Sequence, residues 1–274
     1  NRTVIVYSDA QSDGNAIVGT VDPSDNSISF GSPAEYNGTG VSKQAITFDS
    51  TANKVVIVYK GDSQHGHIIV GTVNSSNNSI SFGADNEWQT AQTNNVDVNY
   101  DSNANKSVIT YVDAANSDKG AARVATVSGT SISLGSEVIF HDATTSRVVS
   151  IFDSTNNKIV AAYRDGGSNV GQARVGTVDG TSISFQSSVQ FEAGATSDIA
   201  IGFDSINGKV VISYTDDGDS GKGKAVVGTV SGTDISFQNP VEFESGDVKH
   251  QAIGFDPDTS QSIIFYCDAD DSEK

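Results

Sequence analysis

Apolar and polar positions along this chain fall into short runs of four to six residues, separated by Gly, Ser, Asn, Asp and Thr every few positions. No window holds an amphipathic helix of useful length, so the pattern predicts strands throughout. Four kinds of run recur in a fixed order. The first is small and apolar and ends in an aromatic-Asp pair, as in AITFD at 45–49 and AIGFD at 200–204 and 252–256. A polar turn such as DSTANK follows, whose leading Asp can bond the amides ahead of it. The second run is rich in β-branched residues and ends in Tyr: VVIVY at 55–59, SVITY at 107–111, IVAAY at 159–163 and VVISY at 210–214. Such a run fits a strand buried on both faces. The third is IVGTV at 17–21, with counterparts at 69–73, 123–127, 174–178 and 226–230. The fourth, SISF or a variant, follows a three-to-five-residue link that reads as a hairpin. A variable stretch of about a dozen residues then leads on to the next unit.

The aromatic-Asp pairs stand at Phe48-Asp49, Tyr100-Asp101, Phe152-Asp153, Phe203-Asp204 and Phe255-Asp256, in steps of 52, 52, 51 and 52 residues. A fixed period near 50 marks a repeat array. Four antiparallel strands per unit, joined by short turns and one longer crossover, is the grammar of a β-propeller blade. Small residues (Ala45, Ala200, Gly202, Ala252 and Gly254) suit the first strand lying innermost, where blades crowd the axis. The expected fold is therefore an all-β propeller in one domain, 1–274, with repeats at 1–44 (without a first strand), 45–95, 96–147, 148–198, 199–251 and 252–274 (partial). The second strand type occurs six times, marked by Tyr7, Tyr59, Tyr111, Tyr163, Tyr214 and Tyr266, and the others five times each. Five blades are favoured over six, with residues 252–256 completing the blade begun at 4–30 and the strand at 262–267 left over.

The string Tyr214-Thr215-Asp216…Gly223-Lys224-Ala225-Val226-Val227-Gly228-Thr229-Val230-Ser231-Gly232-Thr233-Asp234-Ile235-Ser236-Phe237 resembles the tandem repeats, about 50 residues long, of large extracellular and phage-borne proteins, notably of marine microbes. The resemblance covers essentially the whole chain and implies surface exposure, adhesion or scaffolding. A fainter likeness is to lectin propellers, which implies one sugar site per blade.

Composition narrows the partners. The chain carries 16 basic and 34 acidic residues, a net charge of −18. That field repels polyanions and no basic stripe offsets it, which argues against nucleic acid. No run reaches transmembrane length and no signal peptide opens the chain. The single cysteine, Cys267, excludes an intrachain disulfide and reads as a buried thiol. Methionine is absent, which leads us to expect a processed product or an excerpt of something longer. Sequons at Asn1, Asn37, Asn74, Asn77 and Asn105 would accept glycans in a eukaryotic secretory pathway.

Candidate ligand-binding residues are Trp88, the one tryptophan, and the recurrent Tyr7, Tyr59, Tyr111, Tyr163 and Tyr214. Aromatic rings can stack on sugars; the same recurrence is what packing between blades demands. Where other units have Phe140, Phe191 or Phe243, one has Trp88. The loops after the second strand are acidic, and Asp216, Asp217 and Asp219 are the set best suited to Ca²⁺, though turn-forming Asp is the simpler reading. His65 and His67 could share a zinc ion only if a third ligand arrived. No G-x-S-x-G elbow or complete sialidase-type turn is present, and no other cofactor is expected. The sequence thus points to a non-enzymatic recognition or adhesion module at an extracellular, cell or virion surface, binding glycans multivalently. The alternatives are a structural block of a larger fibre, sheath or virion protein assembling through its terminal strands, and a glycoside hydrolase or lyase.

Overall fold

The computed structural model describes residues 2–271, so the sequon at Asn1 and the outermost ends of the first and last repeats lie outside the described residues. The strands form six antiparallel sheets, here units I to VI in chain order. Units II to V each contain an inner, a second, a third and an outer strand. In unit II these are Ser42–Asp49, Lys54–Lys60, Gly66–Asn74 and Ser79–Phe82. Unit I begins at the second strand, Thr3–Ser8, and unit VI consists of an inner strand and Gln261–Asp268.

The turn after each inner strand follows from two residues. The leading Asp accepts two backbone amides, as Asp153 does from Thr155 and Asn156 at 2.9 Å each. Immediately before the second strand begins the chain must turn left-handed, and Asn53, Asn105, Asn157 and Gly208 do so at φ of 54 to 61°. Asn and Gly tolerate that conformation best.

Two features depart from the sequence reading. The stretch after each Ser-Ile-Ser-Phe run is not simply a link. The outer strand pairs with the far half of the third strand (Gly71 opposite Phe82), steps away, and returns as a short strand pairing with its near half (Gly66 opposite Gln89). Val138–Asp153 and Val241–Asp256 carry this return strand straight into the next inner strand, so each of these 16-residue strands belongs to two sheets. The second departure concerns closure. Residues 252–256 do not complete the sheet begun at 4–30; they pair with Gln261–Asp268, Ala252 opposite Phe265 and Asp256 opposite Gln261. A contiguous hairpin satisfies those backbone groups without a long-range closure.

The inner strands of units II to VI line one axial channel of about 400 Å³. Ala45, Ala200 and Ala252 face it, and a side chain at Gly202 would strike Ile253 of the neighbouring inner strand, so the axis is as crowded as the small residues suggested. Each inner strand also bulges at one place, where Lys43, Asn95, Arg147, Asp198 and His250 take φ of 43 to 57°. Bulges re-aim side chains and increase twist.

At two positions of the lining that are otherwise apolar, one polar pair stands out. Asp97 stands where its counterparts are Ala45, Val149, Ala200 and Ala252, and Ser150 where they are Ile46, Val98, Ile201 and Ile253. Asp97 accepts hydrogen bonds from the Ser150 amide at 2.7 Å and hydroxyl at 3.2 Å, and Asn99 and Thr110 also bond Ser150. Burial pushes the Asp97 pKa up, against the pull of these donors. Ser150→Val should lower stability by about 1–3 kcal/mol in urea unfolding. Adding Asp97→Ala should recover part of that loss, because the orphaned carboxylate is then gone; equal losses in single and double variants would refute the coupling.

Candidate functional site

The space between adjacent units is set by one recurring triplet. The third strand carries a glycine as its first or second residue (Gly14, Gly66, Gly120, Gly171, Gly223), and the ring of the return strand lies on it. That ring is Tyr36, Trp88, Phe140, Phe191 or Phe243; a Cβ on the glycine would fall inside its van der Waals surface. The ring's other side meets the tyrosine of the next unit, with centroids 5.2 Å apart for Tyr36–Tyr59, 4.6 Å for Trp88–Tyr111, 5.5 Å for Phe140–Tyr163, 5.4 Å for Phe191–Tyr214 and 5.3 Å for Phe243–Tyr266. These are the tilted and edge contacts aromatic quadrupoles prefer.

The rings of Tyr59, Tyr111, Tyr163 and Tyr214 are thus fully buried, Trp88 nearly so, and Tyr7 half-buried. The expected stacking of these faces on a sugar is not what the geometry offers, because the neighbouring unit already occupies them. The hydroxyls of the four buried tyrosines are themselves closed off from solvent and turned to polar side chains at the seam between units. Around each gathers a polar cluster of different composition. The Tyr59 hydroxyl donates to Asp85 at 2.8 Å and accepts from Asn37 at 3.1 Å, while His67 stacks on the ring and its Nδ1 lies 2.8 Å from Asp85. Tyr111 donates to Glu137, which also accepts from Gln89 at 3.0 Å; Arg123 sits beside the same hydroxyl. Arg174 Nε donates to the Tyr163 hydroxyl at 3.2 Å, with His141 Nδ1 at 3.3 Å. Tyr214 donates to Glu192 at 2.7 Å, and Lys224 lies 2.6 Å from Asp216. The crevice holding Glu192 and Lys224, with Gln190, Phe191, Ala193 and Pro240, has a volume of about 460 Å³.

Burial raises the pKa of all four tyrosines, so they remain hydrogen-bond donors at any physiological pH. Burial also works to raise Glu192 and Asp85, but it is outweighed. Amides of Gly194 and Ala193 with the Tyr214 hydroxyl hold Glu192 low, and His67 and Tyr59 hold Asp85 low. The seams at Tyr59 and Tyr214 therefore carry ionised carboxylates near His67 and Lys224, an arrangement able to bind hydroxyl groups as both donors and acceptors.

The acidic loop is otherwise engaged. Asp216 is paired with Lys224, Asp219 with Lys222 and Lys224, and Asp217 accepts from Ser197 at 2.8 Å. Among the described residues no group of three or more His, Cys, Asp and Glu converges in a way that could hold a metal ion. His65 and His67 turn to separate carboxylates, Glu87 at 3.3 Å and Asp85 at 2.8 Å. The carboxylates and cations at the crevices were not singled out from sequence. Hairpin register would have found some of them, since it sets Tyr59 opposite His67 and Tyr214 opposite Lys224.

No protein-family model matches the chain, and no curated protein matches it by sequence. Solved structures do match. The periplasmic gluconolactonase PpgL of Pseudomonas aeruginosa superposes with a TM-score of 0.66 at 11% identity, over 97% of this chain and 85% of that one. The BP39L lectin of Burkholderia pseudomallei gives 0.66 at 13% identity, over 93% and 71% respectively. A protein from Lactobacillus plantarum gives 0.66 at 14%, over 97% and 75%. The fold is a β-propeller. At such low identity the likeness carries the fold and no more, and these neighbours include both a lectin and an enzyme.

The two crevice histidines should titrate on opposite sides of the ordinary value. The hydrogen bond to Asp85 raises the His67 pKa, whereas burial lowers that of His141 against the pull of Asp165. The contribution of His67 to stability is then complete below its unfolded value of about 6.5 and lost as pH rises through its elevated folded value. For His141 the sign reverses: the neutral ring is favoured, and stability falls as acidification protonates it. NMR titration of the two imidazoles checks this, and Asp85→Asn should bring His67 down while leaving His141 in place.

Proposed function

We propose that the chain is a non-enzymatic, multivalent recognition module for glycans, working at an extracellular, cell or virion surface. The observation that carries this reading is the repetition, in successive inter-unit crevices, of a buried tyrosine hydroxyl flanked by polar and charged side chains. Neutral polyhydroxylated ligands suit such crevices, since each sugar hydroxyl both donates and accepts. The net charge of −18 favours neutral over polyanionic glycans. Similarity to a lectin propeller supports the reading at the level of fold. Different side chains at each crevice imply sites of unequal affinity, and weak sites on one rigid body add through multivalency.

Glycan-array binding followed by calorimetry tests the proposal. Saturation at about four sites per chain is expected. Glu192→Gln combined with Lys224→Ala should remove about one site and leave the others unchanged. A clean blank across the array would sink the reading. Turnover of a polysaccharide or lactone panel, abolished by changing one crevice carboxylate, would favour the enzyme alternative instead.

A further inference from the structure

The outer edge of Gln261–Asp268 and the surface beside it are unfinished by the standard of the chain's own repeats. In units I to V a third strand fills this edge in one register, with Gly14, Gly66, Gly120, Gly171 and Gly223 opposite Ser8, Lys60, Val112, Arg164 and Thr215. Among the described residues Gln261–Asp268 pairs only with Val241–Asp256. Phe265 and Ile263 are 60% and 45% exposed, where Val58 and Val56 of unit II are at 0%. On unit V, Val227 is 39% exposed, whereas Val18, Val70, Val124 and Val175 at the same position are at 1% or below. Both exposures mark the place where a third and an outer strand would lie.

Unit I shows the opposite half of the same contact. Ile28 and Phe30 are 44% and 46% exposed, while at the position of Ile28 the later units have Ile80, Ile183 and Ile235 at 6% or below and Ile132 partly buried. In later units this face packs on the unit before it, as Phe82 does on Tyr36, Phe185 on Phe140 and Phe237 on Phe191. We propose that this edge docks the segment Gly14–Asn37 of a second copy of the chain. Its third strand would pair with Gln261–Asp268 and its Phe30 would cover Phe243. The donor's Thr3–Ser8 is the strand displaced. It is of the same Tyr-marked type as Gln261–Asp268, so the exchange replaces six residue pairs (Thr3 opposite Gly19 to Ser8 opposite Gly14) with six like ones. Free edges are templates for such pairing. The contact joins unlike faces, so association is head to tail. A second copy is favoured over the chain's own first unit because, with both already on one chain, Ile5, Ile28, Ile263 and Phe265 all remain open to solvent.

The inference stands apart from the glycan reading, and its test uses no sugar. Sedimentation of the intact chain over a wide concentration range should show self-association. It should strengthen with salt, which screens the repulsion between two acidic copies beyond about 8 Å at physiological ionic strength. Phe265→Asp and Ile28→Asp change exposed positions and should leave the monomer folded. Each alone should raise the apparent dissociation constant by about tenfold or more, since it loses one of the two faces. A 1:1 mixture of the two variants should recover dimers and nothing larger, because one intact face of each kind remains. Removing residues 1–8 should tighten association, as the donor strand is then free. A monomer at every concentration and salt, with or without residues 1–8, overturns the proposal. So does a mixture that stays monomeric, or a shortened chain that closes on itself as a compact monomer.

Discussion

Every other spacing in this protein depends on an aromatic ring trapped between a glycine of its own unit and a tyrosine of the next. The glycine is obligatory because any side chain would occupy the volume of the ring. The ring in turn fixes how closely neighbouring units approach, and so holds each buried tyrosine hydroxyl beneath the polar side chains at the seam. Trp88 shows that the frame tolerates a larger ring, provided the edge contact with Tyr111 is kept. Packing of this kind, repeated between nearest neighbours, is how a repeat array turns local contacts into a single body.

Around that fixed frame the polar groups vary by substitution between two positions. The carboxylate that accepts from the tyrosine comes from the same unit at Asp85 and Glu137, and from the preceding unit at Glu192 and Glu244. Different backbone positions thus satisfy the same tyrosine donor, and at the buried Tyr59, Tyr111 and Tyr214 this is required because an unpaired buried hydroxyl is costly. The consequence for recognition is a set of crevices with common depth and unlike rims.

Much of this was legible in the sequence. The Tyr-ending and Ser-Ile-Ser-Phe runs, the aromatic-Asp pairs and the Asn-Lys turns each state a local rule, and the strands appear where those rules put them. The broken outer strand was not legible, because its return half has no constant residue except one aromatic and reads as a variable link. The site was partly visible: Tyr59, Tyr111, Tyr163 and Tyr214 do mark it, but as the floor of the crevice. Sequence alone could not say which face of the ring a neighbour covers, since a half-exposed and a buried tyrosine have the same strand context. Asp216, Asp217 and Asp219 looked like ion ligands because proximity along the chain hides Lys222 and Lys224, which reach back across the hairpin.

The polar pair in the axial channel gives the units an address. Four of the five inner strands lining the channel carry only small or branched apolar residues at the position of Asp97, and four at the position of Ser150. Units III and IV are therefore the one matched couple in an otherwise interchangeable series. Were unit III or unit IV to trade places with another unit, the carboxylate would face an isoleucine in place of a hydroxyl. A chain built of near-copies invites strands to pair with the wrong neighbour during folding, and a single buried mismatch of this kind disfavours every order that separates units III and IV.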